Sequence, residues 1–328
     1  EVPALYLGLA LIAIGSGSAK SAPQALAARM YVHAPDQRDG GLTLIYLLAN
    51  ASAVVSPVIG ETAHSWLGWP AAFAVASLGL LASWGILRAQ WAVLRATEQI
   101  QPVISDAGSA TPHGSLRLLL GICLISLIFT VAHTQSSSTL LLWARDHTNR
   151  RMLGWELPVP YIASIHAALV IAVSPLVSRA LSRLRTTPGL HTILIKIAMG
   201  LGATSLAFVP MVLAAHIGTG RTVSGLGWIL CCLALLSVAE LLIGALGPSF
   251  MLRLTPAQTG GRWLGVWFLA TAAGFCVAGR LGALWDQVPH ELFFAVLAGL
   301  PLFGVAICRM LVRRATTPNG HSSALTNG

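Results

Sequence analysis

Nine apolar runs, each long enough to cross a bilayer, decide what this chain can fold into. They lie near residues 3–28, 41–60, 69–94, 116–143, 157–178, 190–216, 223–252, 263–285 and 291–312. About 20 consecutive apolar residues span the hydrocarbon core as an α-helix, because backbone groups there must bond within their own segment. The runs are continuously apolar and do not alternate, so a β-barrel is not the reading. Only 9% of the 328 residues are charged and 55% are hydrophobic, against about a quarter charged in a soluble domain. The expected fold class is therefore an all-α integral membrane protein of about nine transmembrane helices, with the lipid bilayer as its solvent.

The charges sit in short loops between these runs. A net charge of +9 could point to nucleic acid, but no basic stripe interleaved with aromatics is present, and a nucleic-acid partner is set aside. With the first helix ending inside, the inside loops hold 13 arginines and the outside loops 5. That asymmetry predicts a cytoplasmic C-terminus in a bacterial inner membrane. Residues 96–115, "ATEQIQPVISDAGSATPHGS", are the one long polar interruption. They read as a cytoplasmic linker between a three-helix bundle in 1–95 and a six-helix bundle in 116–314, followed by a disordered tail at 315–328. Glu1 precedes an apolar run without a basic n-region, so the start reads as an interior cut and not as a signal peptide. A three-plus-six pattern is what a transporter of two six-helix halves gives when its first three helices are missing.

Several functions find no support. No Walker loop, GxSxG or HExxH occurs, so neither an ATP-driven pump nor a membrane hydrolase is expected, and no enzyme activity. Cys123, Cys231, Cys232, Cys276 and Cys308 all lie inside apolar runs, without CxxC spacing. They read as packing residues, and neither a disulfide framework, a metal site nor a cofactor is expected.

Glu240, in "LLSVAELLIGALG", is the only carboxylate that the drawn runs place well inside a span. Ionised at a helix centre, it would cost on the order of 3 kcal/mol to insert. Such a group faces a cavity, pairs with a cation or handles protons. Burial favours a carboxyl's neutral form and a nearby cation its charged form, so a group held between the two can bind and release a proton. Lys20, in "AIGSGSAKSAPQAL", lies deep in the first run and is a natural counter-charge. Asn50 places an amide at mid-span, for a polar solute or a neighbouring helix. "VAHTQSSSTLLLW" supplies His133 and a band of hydroxyls that suggests a cavity wall. Histidine is the side chain that changes charge near neutral pH, which makes His133 and His166 candidates for proton handling. Trp267 reads equally as a pocket wall or as packing.

Four stretches in order resemble the proton-dependent oligopeptide transporters of the major facilitator superfamily. "GLALIAIGSGSAKSAPQAL" is similar to their fourth helix, and "DQRDGGLTLIYLLANASAVVSPVIG" to their fifth. "HTQSSSTLLLWARDHTNRRMLGWELPVPYIASIH" is similar to the seventh helix and the loop into the eighth. "AELLIGALGPSFMLRLTPAQTGGRWLGVWFLATAAG" is similar to the tenth and eleventh. The resemblance implies a twelve-helix alternating-access fold that takes up di- and tripeptides with protons, here from the fourth helix onward. It implies proton coupling at Lys20 and Glu240, and peptide contacts at Lys20, Asn50, Glu240, Trp267 and His166.

The chain also departs from the family pattern. The first-helix Glu-x-x-Glu-Arg motif occurs nowhere. The seventh-helix glutamate is Thr134, and the tryptophan one turn earlier is Thr130. An eighth-helix asparagine is His166, and the Ser-Pro after the tenth-helix glutamate is Gly244-Ala245. With the family's carboxylate and its arginine partner both absent, neither is left as an unpaired charge in the membrane. Two rival readings stand beside the peptide transporter: a degenerate, non-transporting membrane protein, and a facilitator transporter of another small solute. Nothing in the sequence gives the oligomeric state.

Overall fold

The computed structural model describes residues 3–16, 35–98, 116–152, 154–183, 190–218, 224–244, 247, 251, 254–255 and 260–316. Among them, eight helices are long and apolar enough to cross a membrane. Of the first run, only the shorter apolar helix α1 (Pro3–Ser16) is described. Residues 17–28, and Lys20 with them, lie outside the described residues, as do residues 99–115 of the expected linker and 317–328 of the tail.

The chain divides into two compact units, one holding Glu1–Ser52 and Ile59–Gly108, the other Ala53–Val58 and Ser109–Gly328. In the first unit, α2 (Pro35–Leu67) is followed by α3 (Trp69–Ala89) and α4 (Trp91–Glu98). Gly68 supplies the turn between α2 and α3 with φ of 82°, a conformation that favours glycine. Pro70 sits in the first turn of α3, where its missing N–H leaves no bond unmade. No residue of α3 is buried by protein. Leucines and tryptophans so exposed would be penalised in water but not in hydrocarbon, which is as apolar as they are.

The run drawn over 41–60 proves too short. Its helix continues to Leu67, and the candidate span Leu44–Leu67 contains a second carboxylate, Glu61. The apolar pattern weakens at Glu61-Thr62, but nothing there breaks a helix. Backbone bonding carries α2 past the point where hydropathy would have ended it.

The second unit holds a packed core. Its helices are α5 (Leu116–His133), α6 (Thr139–His147), α7 (Tyr161–Arg183), α8 (Leu190–Ile217), α9 (Leu226–Ile243), α10 (Gly260–Gly282) and α11 (His290–Thr316). α8 packs on α9 and α11, α5 on α10 and α11, and α7 on α9. Small residues set the closest approaches. A Cβ on Gly200 of α8 would stand 2.5 Å from Ile243 of α9, and one on Gly304 of α11 would stand 2.8 Å from Leu201. These glycines let helix backbones meet where no aqueous hydrophobic effect drives them together.

Four two-residue strands cover one end of this unit. β1 (Thr148–Asn149) pairs parallel with β4 (Ser224–Gly225), and β2 (Arg151–Met152) pairs antiparallel with β3 (Trp155–Glu156). The loop is pinned by Arg150, which donates to the Glu156 carboxylate at 2.6 Å and to the Leu157 carbonyl at 2.5 Å. Beneath it, Trp285 stacks on His290 with centroids 4.2 Å apart, and Trp143 meets Phe294 edge-on at 5.5 Å. The tryptophan and phenylalanine rings belong to a buried cluster that also takes in Tyr161, Ile162 and Ile165 from the first turns of α7, and α7 packs on α9.

Candidate functional site

The polar band of the fourth apolar run turns out to be a break in a helix. α5 and α6 form one span, Leu116–His147, interrupted by a 3₁₀ turn at Thr134–Ser137. The reason is local. Ser and Thr hydroxyls compete for backbone carbonyls, and here they take them in sequence. Thr130 donates to the Ser126 carbonyl at 2.8 Å, Thr134 to the Thr130 carbonyl at 2.7 Å, and Ser136 to the His133 carbonyl at 2.8 Å. Gln135 is wholly buried and ties the break to α10. Its amide donates to the Ala278 carbonyl at 3.0 Å, while its oxygen accepts from Ser138 at 3.0 Å and Thr139 at 2.9 Å. Gly274 lets α10 lie this close, since a Cβ there would meet Thr130 at 2.9 Å. These hydrogen bonds of the band thus go to protein groups, while Ser137 and Ser138 stay exposed.

The break leaves His133 as the last residue of α5, at a helix end inside the membrane. Glu240 sits in the last turn of α9, and its carbonyl accepts from Gly244 N–H at 2.8 Å. The run drawn to residue 252 placed this carboxylate mid-helix; the described helix ends at Ile243. His133 Nε2 lies 3.2 Å from Glu240 Oε2, and His166 Nε2, from α7, lies 3.7 Å from the same oxygen. The two imidazole centroids are 5.7 Å apart. Phe129, one turn before His133, stands 5.1 Å from its ring and limits its rotation. All three side chains are partly buried, at 23%, 13% and 21% exposure for His133, His166 and Glu240. His166 Nε2 itself is buried and has no hydrogen-bond partner.

So three helix segments bring two imidazoles to one carboxylate oxygen. The contact is a charge-assisted hydrogen bond whenever an imidazole carries a second proton, and roughly twice as strong as a neutral one. A proton arriving at any of the three atoms is felt by the other two.

The other sequence candidates lie elsewhere. Asn50 belongs to the first unit, and its Nδ2 donates to the Tyr46 carbonyl 3.1 Å away, one turn back on α2. Trp267, on α10, is 8% exposed and packs with Leu118, Leu119, Ile122, Cys123 and Met251. A Cβ on Gly247 would stand 2.9 Å from its ring. Along α5 that cluster begins ten residues before His133, about 15 Å at 1.5 Å per residue, so Trp267 is not brought to the carboxylate.

A family model of the POT family matches residues 1–108 and 113–296. The chain belongs to that family. Among curated relatives, the peptide transporter YePEPT of Yersinia enterocolitica is 25% identical over 84% of this chain and 67% of its own length. Dipeptide and tripeptide permease A of Erwinia pyrifoliae is 24% identical over 89% of this chain and 68% of its own. Crystal structures of peptide transporter POT agree in fold. The complex with sulfate has a TM-score of 0.75 at 19% identity, covering 95% of this chain and 75% of that one. The complex with alafosfalin has 0.73 at 21%, covering 95% and 76%. The architecture is thus that of the POT-type major-facilitator bundles. Against the family pattern, Thr134 spends its hydroxyl on its own helix, and the imidazole that reaches Glu240 comes from the adjacent position, His133. His166 stands where the resemblance puts an asparagine.

Gln135→Ala removes one donor and one acceptor at the break and leaves the Ala278 carbonyl without its side-chain donor. It should cost about 1–3 kcal/mol and lower the melting temperature in detergent. Ser83→Ala, which removes only an exposed bond to Gly79, should leave it unchanged.

Proposed function

We propose that this protein is a secondary active transporter that takes up di- and tripeptides together with protons. The reading is supported by the POT family match and by the peptide transporters and permeases among its relatives. The single observation that carries the coupling mechanism is the convergence of His133 and His166 on Glu240. Two bundles, in 1–95 and 116–314, alternate the cavity between the membrane faces. The family resemblance supports peptide contacts at Lys20, Asn50, Trp267 and His166, with Lys20 the group that suits a peptide carboxylate. Glu240 and His133 exchange the coupled proton, and Lys20 biases that exchange from the peptide side. A proton on His133 keeps the carboxylate paired, and its departure leaves a charge that the bundle must accommodate by changing state.

This division of labour follows from the residues present. With Thr134 in place of a carboxylate, Glu240 has no second acid on α5 to exchange with. An imidazole at the neighbouring position can accept and return a proton and is itself left neutral.

The test is uptake of labelled dipeptide by the protein expressed from its complete reading frame, in liposomes with an imposed proton gradient. Gradient-dependent accumulation is expected, with Glu240→Gln and His133→Ala each reducing it more than about tenfold, as for loss of a positioned proton-transfer group. No uptake of any peptide, or full gradient-driven uptake by Glu240→Gln, contradicts the reading. The excess of arginines in one set of loops supports a bacterial inner-membrane protein with its C-terminus in the cytoplasm. A C-terminal fluorescent-protein fusion should therefore fluoresce, and a C-terminal alkaline phosphatase fusion should be inactive; the reverse pattern contradicts that orientation.

A further inference from the structure

We propose that His133, His166 and Glu240 form a binding site for a divalent transition-metal ion of the zinc type. The ion is held by Nε2 of both histidines and a carboxylate oxygen of Glu240. The ligand atoms come from α5, α7 and α9 and lie within 4.8 Å of one another. Zinc–nitrogen and zinc–oxygen bonds of about 2.0–2.2 Å in a tetrahedron put ligand atoms about 3.3–3.5 Å apart. The two histidine–glutamate separations, 3.2 and 3.7 Å, already bracket that spacing. The remaining pair has to close by at most about 1.5 Å to reach it, within the swing of an imidazole about its χ angles.

The donor set selects the class of ion. Two imidazoles and one carboxylate suit zinc, cobalt, nickel and copper, whereas calcium and magnesium take oxygen ligands. Three protein ligands leave a fourth position for water or a solute. His166 Nε2 adds an independent reason. It is buried without a hydrogen bond, and a buried polar atom so placed is costly until something binds it. The two imidazoles stand 5.7 Å apart with planes 42° from parallel, and both present Nε2 to the same oxygen.

Binding does not depend on the transport reading. Its consequence does: an ion there occupies the atoms proposed to handle the coupled proton, so zinc should slow proton-driven uptake.

The experiment titrates the full chain, purified in detergent with any affinity tag removed, with Zn²⁺ in competition with a chromophoric chelator. Co²⁺ substitution reads the coordination geometry by its visible absorption. The proposal expects one tight equivalent and a tetrahedral cobalt spectrum. It expects affinity weakened more than about tenfold in His166→Ala, His166→Gln and Glu240→Gln, with unchanged elution and helical circular dichroism. The double variant His147→Ala/His290→Ala, whose rings lie 4.8 Å apart at the other histidine pair, should bind as before. Unchanged zinc affinity in both His166 variants, or loss only in the His147/His290 variant, overturns the site. Peptide uptake is measured separately, so zinc binding without uptake removes the transport reading and keeps the metal site, and uptake without zinc binding does the reverse.

Discussion

One carboxylate oxygen organises the second unit: Oε2 of Glu240, with imidazole nitrogens 3.2 and 3.7 Å away. In an apolar span an unpaired carboxylate is costly, and removing one partner of a buried pair costs more than the pair itself contributes. The helices that bring these three residues together are therefore under constraint at that point. α9 supplies the acid in its last turn, α5 ends at the first histidine, and α7 presents the second near its start. The contact joins segments more than 100 residues apart in sequence, and a proton or a cation at any of the three atoms alters how tightly they are held.

The break between α5 and α6 makes this arrangement possible. A continuous helix would bury the polar run 133–138 in its own backbone bonding. The 3₁₀ turn instead places His133 at a helix terminus, and Gln135 ties the turn to α10 and to the Ser138 and Thr139 hydroxyls. Irregular backbone at membrane depth is tolerated where such partners exist. Glycines at 200, 274 and 304 then let the helices close around it.

The helical class, the family and the placement of Glu240 inside a span were legible because they rest on hydropathy and on local motifs. Hydropathy needs no knowledge of neighbours, and an acid inside an apolar run is conspicuous wherever it packs. Lys20, the natural counter-charge by type, lies outside the described residues. The two histidines at Glu240 were not legible as its partners, because pairing depends on which helix faces meet. Spacing hid them as ligands as well, since His133 and His166 are 33 residues apart and on different helices. Glu61 was missed because an apolar run ends where hydropathy falls, whereas a helix ends where its bonding stops.

If the Glu240–His133 contact is the constraint on which the unit depends, the two residues must be energetically coupled. A double-mutant cycle on unfolding in detergent, with His133→Ala, Glu240→Gln and the double variant, measures that coupling. The account predicts that the double variant is more stable than the sum of the single losses implies, by about 1–3 kcal/mol, as for contacting partners in one network. Additivity within about 0.5 kcal/mol, the behaviour of independent sites, would contradict it.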